Sequence, residues 1–286
     1  MTGTRVSVVI PAYNSARFIT ATMESVLAQD HDGLEVVVSD HSSTDGTWER
    51  LQAFRADPRV RLEQIPAGGG AQRNWDHVTG RATGELLKLV CGDDLLYPGC
   101  VAEQAAALDA HPGAVLAASR RDVVDAAGNP VLRDRGLGGM DGLVPGRDAV
   151  RASVRAGTNL LGEPMCVTFR RDVLERTGRW DGRRGYLIDQ ATYTRCLLAG
   201  DLVAVRRTLG GFRVSDAQWS VALARQQSRQ AVAFHHELAE AVPGLLSAGD
   251  LRLGDARARG MAVARRLAYV YLRRRMSASA PAGRAG

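Results

Sequence analysis

Leu86-Leu87-Lys88-Leu89-Val90-Cys91-Gly92-Asp93-Asp94 is the stretch on which the fold assignment turns. A short apolar run of strand length ends in a glycine and two adjacent carboxylates, and helix-starting sequence follows. Open parallel sheets present their ligand-binding groups in this way, at the carboxyl ends of the strands. An acidic turn after any strand has the same local composition, so the flanking sequence decides.

Working outward, the first ninety residues alternate strand and helix patterns. Arg5 to Ile10 is a β-branched run stopped by Pro11, and Ile19, Met23, Val26 and Leu27 recur on one helical face behind the N-cap residues Asn14 and Ser15. Leu34 to Val38 is a second strand, Thr47 to Arg55 a helix, Val60 to Ile65 a third strand, Ala71 to Arg81 a helix, and Glu85 to Cys91 the fourth strand. Repeated β-α units with short links predict an α/β fold with a mostly parallel sheet covered by helices on both faces.

The loops at the carboxyl ends of these strands carry polar residues. Pro11-Ala12-Tyr13 offers a rigid turn and an aromatic face for a base, or a packed loop. Asp40 is placed to accept from a base or ribose, or to cap its own turn. Gln72-Arg73-Asn74 opens a helix behind three glycines, where free N–H groups and Arg73 attract phosphate. Each signal is weak alone. In series, ahead of Gly92-Asp93-Asp94, they point to a nucleotide site.

In this order, Val6 to Asn14, Ser25 to Gln29, Glu35 to Thr47, Gln72 to Asn74 and Gly92 to Asp94 resemble the family 2 glycosyltransferases. The likeness is close over about the first 120 residues and looser to about residue 220. It implies an inverting enzyme of the GT-A fold that uses a nucleotide-diphosphate sugar, a UDP- or dTDP-sugar first, and a hydroxyl acceptor. It further implies that Pro11, Ala12 and Tyr13 line the base pocket, that Asp40 bonds the base, and that Arg73 lies near base and phosphates. Gly92 and Asp93 fall on the donor-binding motif, with Asp93 as ligand for Mg2+ or Mn2+. A hard cation on oxygen ligands neutralises the departing diphosphate. Two departures stand out. Cys91 replaces the first acid of that motif, and Ser39 and His41 flank Asp40 where an acid and a glycine are usual; Asp94 is a candidate second carboxylate.

Asp189, at the start of an apolar-periodic helix, sits where the family places its catalytic base; an N-cap is the plainer reading. In an inverting transfer one carboxylate takes the acceptor proton as the hydroxyl attacks the anomeric carbon. Beyond it, Arg213 is a candidate for phosphate or a surface ion pair, and Trp219 for sugar stacking or packing. Glu163, in Gly162-Glu163-Pro164, faces an acceptor or caps a turn. Pro98 to His111 reads as a helix, Ala114 to Ser119 as a strand, Gly128-Asn129 as a hairpin turn, Arg135 to Gly146 as a glycine-rich surface loop, and Arg147 to Arg155 as a helix.

Composition sets the bounds. The chain has 286 residues, 45% hydrophobic and 24% charged, as soluble globular proteins do. No apolar run reaches the roughly 18 residues of a membrane span, and a cytoplasmic protein is expected. Cys91, Cys100, Cys166 and Cys196 form no C-x-x-C pair, which argues for reduced, buried thiols. Between Arg252 and Arg275 eight arginines face one acid, Asp255, so the +6 total belongs to one segment and the body is near neutral. No nucleic-acid partner is expected for the body. His235-His236 reads as a solvated helix face, since neighbouring histidines diverge on a helix. The helix Ala256 to Leu272 has an apolar side flanked by arginines, for packing on the body, homo-oligomer formation or peripheral contact with an anionic membrane that presents lipid-linked acceptors.

The expected organisation is a nucleotide-sugar half (1–120), an acceptor half of the same domain (121–216), a helical extension (217–275) and a disordered tail (276–286). Two alternatives remain from other classes. A nucleotidyltransferase is suggested by Gly3-Thr4-Arg5, although a phosphate-cradling loop follows its strand rather than precedes it. A non-enzymatic binding protein would act through the basic C-terminal helix.

Overall fold

The computed structural model describes residues 3–214 and 226–278, with side chains followed as far as Ala264. Strand β1 (Val6–Ala12) leads into α1 (Ile19–Leu27), β2 (Leu34–Asp40), α2 (Thr47–Leu51), β3 (Val60–Gln64), α3 (Gly70–Gly80) and β4 (Leu86–Leu89). β1 lies between β2 and β4, β3 lies outside β2, and all four run parallel. Every residue of β1 is buried, as expected of a parallel strand with helices over both faces.

β1 runs through Pro11 rather than stopping there. The Ala12 carbonyl accepts from His41 N on the β2 side, so Pro11, one residue back, turns its missing N–H toward β4. The β1–β4 pairing has already ended at Val9 and Leu89, and no ladder bond is lost. The expected N-cap for α1 is also corrected. Helix α1 begins after Phe18 with no side-chain cap; Asn14, at φ 47°, accepts from Thr44 N at 3.0 Å through Oδ1, and so ties the loop after β1 to the loop after β2.

The second half supplies β5 (Leu95–Leu96), α4 (Cys100–Ala110), β6 (Ala114–Val124), β7 (Pro130–Arg135), β8 (Gly142–Val144), α5 (Gly146–Ala156), β9 (Val167–Arg170), α6 (Arg171–Arg176), α7 (Ile188–Leu197) and β10 (Asp201–Arg213). These strands extend the first sheet in the order β3-β2-β1-β4-β9-β6-β10-β5, with β7 on β6 and β8 on β10. β9 enters antiparallel between β4 and β6. One sheet therefore carries both halves. The segment expected as a loop between Arg135 and Gly146 contains β8, held antiparallel to β10. Lys88, the single lysine, is fully buried on β4 and donates to Gln104 Oε1 at 2.7 Å and to the carbonyls of Met165 and Val167 at 2.7 and 3.3 Å. It thus stitches β4 to α4 and to the backbone just after Glu163.

Helices α8 (Gln227–Ala241) and α9 (Ala248–Ala278) close the described chain, and α9 packs on α5 and α8. Ser247 and Asp250 cap the start of α9 reciprocally: Ser247 N and Oγ donate to Asp250 Oδ2 at 3.0 and 2.8 Å, and Asp250 N donates to Ser247 Oγ at 3.1 Å. Arg151 and Arg155 of α5 reach the same buried carboxylate. The histidine pair is divided: His236 stays on the solvated face and His235 does not. His235 is buried, with Nδ1 2.9 Å from Asp255 Oδ1, and His236 Nε2 lies 2.9 Å from Asp255 Oδ2, so both rings clasp one carboxylate of α9. Helix α9 also extends to Ala278, into the stretch expected to be disordered; residues 279–286 lie outside the described residues.

Candidate active site

The carboxyl ends of β1, β2 and β4 and the loops after them meet on one edge of the sheet. On the nucleotide side, Tyr13 is 61% exposed, while Pro11 and Ala12 are buried in β1. The Tyr13 ring meets His41 edge-on, with centroids 6.1 Å apart, and His41 Nε2 lies 2.8 Å from the Gly68 carbonyl. Arg73 is exposed and folds back on the carbonyls of Ala67 and Gly68 at 3.3 and 3.2 Å. Asp40 was expected to face the base. Its carboxylate has no exposed surface; Oδ1 accepts from the Ser43 hydroxyl, and Oδ2 accepts from Ser43 N at 3.2 Å and Gln64 Nε2 at 2.9 Å. Asp40 shapes the loop that carries His41, and Tyr13 and Arg73 are the groups left facing outward.

At the end of β4 the two acids divide. Asp93 is half-buried and Asp94 is only 1% exposed. Asp94 Oδ1 accepts from Arg213 N at 3.1 Å, and burial with the Asp93 charge pushes its carboxyl well above the usual range. Arg213 was expected to touch phosphate or form a surface ion pair. It is buried instead, and donates to the carbonyls of Asp93 at 2.8 Å, Asp125 at 3.3 Å and Ala126 at 2.9 Å, with its guanidinium over the Phe18 ring. It binds the acidic turn to the β6–β7 hairpin.

Acids distant in sequence converge on this turn. The Cys91 thiol is pushed well up by burial and then by the charges of Asp94, Asp93, Asp189 and Glu163, in that order. Asp189 is half-buried at the start of α7; Oδ1 accepts from Gln190 N at 2.7 Å and Oδ2 from Asn159 Nδ2 at 3.0 Å. Burial, helped by the Glu163 charge, raises its carboxyl to about 7 against these two donors. Glu163 stands at the start of the turn Pro164–Cys166, and its carbonyl accepts from Cys166 N at 2.8 Å, but its side chain makes no cap bond. Its carboxylate is paired with Arg121 of β6, Nη2 donating to Oε1 at 3.0 Å. Asn159, Arg121 and the buried Tyr193 were missed by sequence reasoning, since nothing local to any of them marks it. Trp219 lies outside the described residues.

The acidic turn fits a hard divalent cation of one kind. Among the described residues no three His, Cys, Asp or Glu side chains assemble a metal cage. Of the two acids in the turn, Asp93 is the one with open surface, a donor suited to an ion completed by diphosphate oxygens and water. Cys91, held protonated, is no ligand for such an ion. Gly3-Thr4-Arg5 lies at the amino end of β1, where Arg5 donates to Thr83 Oγ1 at 2.9 Å, at the opposite edge of the sheet. That placement removes the ground for a nucleotidyltransferase loop. Among the described residues no helix is long and apolar enough to cross a membrane.

Comparison with known proteins agrees with this geometry. Residues 7–178 match the model of glycosyl transferase family 2. The putative glycosyltransferase EpsE of Bacillus subtilis is 32% identical over 111 residues, 38% of this chain and 40% of its own length. The chain thus spans less than half of that curated relative. Two solved structures share the fold. Staphylococcus aureus TarS in complex with UDP-GlcNAc has a TM-score of 0.65 at 18% identity, covering 82% of this chain and 65% of its own. The mannosyltransferase PcManGT of Pyrobaculum calidifontis, in complex with GDP-Man and Mn2+, has a TM-score of 0.60 at 20% identity, covering 98% of this chain and 82% of its own. With its GT-A-type sheet, its acidic turn after β4 and a family match over more than half its length, the chain belongs to the family 2 glycosyltransferases.

Proposed function

We propose that this protein transfers a sugar, with inversion, from a nucleotide-diphosphate donor to a hydroxyl acceptor. What supports the reading is that half-buried Asp93, after β4, and half-buried Asp189, at the start of α7, both bear with their charge on the Cys91 thiol at the end of β4. Tyr13 and Arg73 bind base and phosphate on the exposed edge, and Asp93 would hold the cation at the diphosphate end. A Mg2+ or Mn2+ ion on Asp93 would neutralise the charge of the leaving diphosphate. Asp189 accepts the proton of the acceptor hydroxyl while that oxygen bonds to the anomeric carbon. The bond from that carbon to the diphosphate breaks, and its electron pair leaves with the nucleotide. A carboxyl near 7 suits a base working at neutral pH. Residues 1–120 serve the donor and 121–216 the acceptor.

The two solved neighbours hold UDP-GlcNAc and GDP-Man, so the base is left to experiment. Thermal-shift measurements with UDP, dTDP, GDP and their sugars, with and without Mn2+, provide it. The reading predicts a rise in melting temperature with one nucleotide class, larger with the ion. No response to any nucleotide would sink it.

A further inference from the structure

Asn159 uses both donors of its amide and its amide oxygen. Nδ2 donates to the Gly162 carbonyl at 2.8 Å and to Asp189 Oδ2 at 3.0 Å, and Oδ1 accepts from Leu161 N at 3.1 Å. A flipped amide would set oxygen against a carbonyl and a carboxylate, so these partners fix its orientation. The same short segment ends in Glu163, whose carboxylate is gripped by Arg121. Room for the guanidinium is built in: a Cβ on Gly136 or Gly162 would come within 3.0 or 3.2 Å of Arg121 Nη1, and both glycines have positive φ, 116° and 89°. The Leu160 carbonyl accepts from Leu137 N at 2.6 Å and anchors the segment from the other side.

We propose that Asn159 and the Arg121–Glu163 pair form a frame that positions Asp189, Asn159 by orienting its carboxylate and the ion pair by setting the charge around it. The inference rests on Asp189 as the base. The titratable groups near enough to interact electrostatically with Asp189 include Glu163, Arg121, the Cys91 thiol and the Tyr193 hydroxyl. Tyr193 is buried on α7, and its hydroxyl has no partner among the described atoms. Of these four, Glu163 and Arg121 form an ion pair. A donor on Asp189 favours its ionised form, and the negative charge of Glu163 opposes it. Removing each must therefore act in opposite directions, which a merely structural role would not produce.

Carbon-13 NMR of protein labelled at the aspartate carboxyls reads this directly, the Asp189 resonance being the one absent from Asp189→Asn. The wild-type midpoint is expected at about 7. Asn159→Leu, close in shape, should raise it by about one unit, and Glu163→Gln should lower it by about one unit. Asn159→Ser replaces the leucine variant if that one does not fold. Midpoints that stay in place in the folded variants, or move the same way, overturn the frame. Nucleotide release from UDP-GlcNAc and GDP-mannose by Asp189→Asn is measured alongside. Wild-type release there, with the midpoints shifted as expected, would remove the base role and leave the frame standing.

Discussion

Replacing Asp189 by asparagine should raise stability relative to the wild type progressively as the pH climbs toward about 7, with the gain level above that. The carboxyl stands at about 7 in the fold against an ordinary 3.8. Because the folded value lies above the unfolded one, the contribution to stability is complete below about pH 4 and is lost as the pH rises through about 7. Three units correspond to about 4 kcal/mol at full loss. Asparagine forfeits one of the two bonds to Asp189, since one amide cannot accept from both Gln190 N and Asn159 Nδ2 through a single oxygen. That penalty does not vary with pH, so the change in the difference is the quantity to read. Between about pH 5.5 and about pH 8.5 the stability difference should move by about 2 kcal/mol in favour of the variant. Urea unfolding of both proteins across that range measures it. A difference that stays flat with pH would refute the claim that the fold raises the Asp189 carboxyl.

Three further outcomes follow from the geometry. Asp93→Asn should abolish the Mn2+-dependent part of nucleotide binding, measured by calorimetry with ion or chelator; wild-type behaviour would count against Asp93 as the ligand. Asp250→Asn should lose about 1 kcal/mol in urea unfolding, because it weakens a carboxylate that caps α9 with Ser247 and pairs with the half-exposed Arg151 and Arg155. Those partners hold the Asp250 carboxyl well below the usual range, so wild-type stability from this site is present above about pH 4 and fades on acidification, and the variant should lack that fade. Gly157→Ala places a Cβ 2.3 Å from Ala258 N at a φ of +63°, so it should loosen α9, lower stability by about 2 kcal/mol and speed proteolysis of that helix; unchanged proteolysis would argue that the helix is not seated on α5.

The β-α alternation and the acid at the end of β4 were legible because hydrophobic period and turn chemistry are local. What escaped the sequence depends on partners far along the chain. Arg213 reads as a phosphate ligand or a surface ion pair until its bond to the Asp93 carbonyl, 120 positions away, shows it holding the acidic turn. His235 and His236 diverge along their own helix, yet Asp255 offers one oxygen to each ring. The glycine-rich stretch around β8 has no period of its own, because β10 supplies the ladder. Asp40 was recognised as an acceptor, but its donors, Ser43 and Gln64, come from the next turn and from β3 and withdraw it from the surface. Asp189 was found through the resemblance, whereas Asn159 and Arg121, which surround it, required the fold.

Donor binding and turnover of Asp189→Asn, measured on the same preparation, test the central claim most directly. The account predicts that the variant binds the nucleotide sugar identified by thermal shift as the wild type does and transfers none of it. Transfer at the wild-type rate would contradict the assignment of the base.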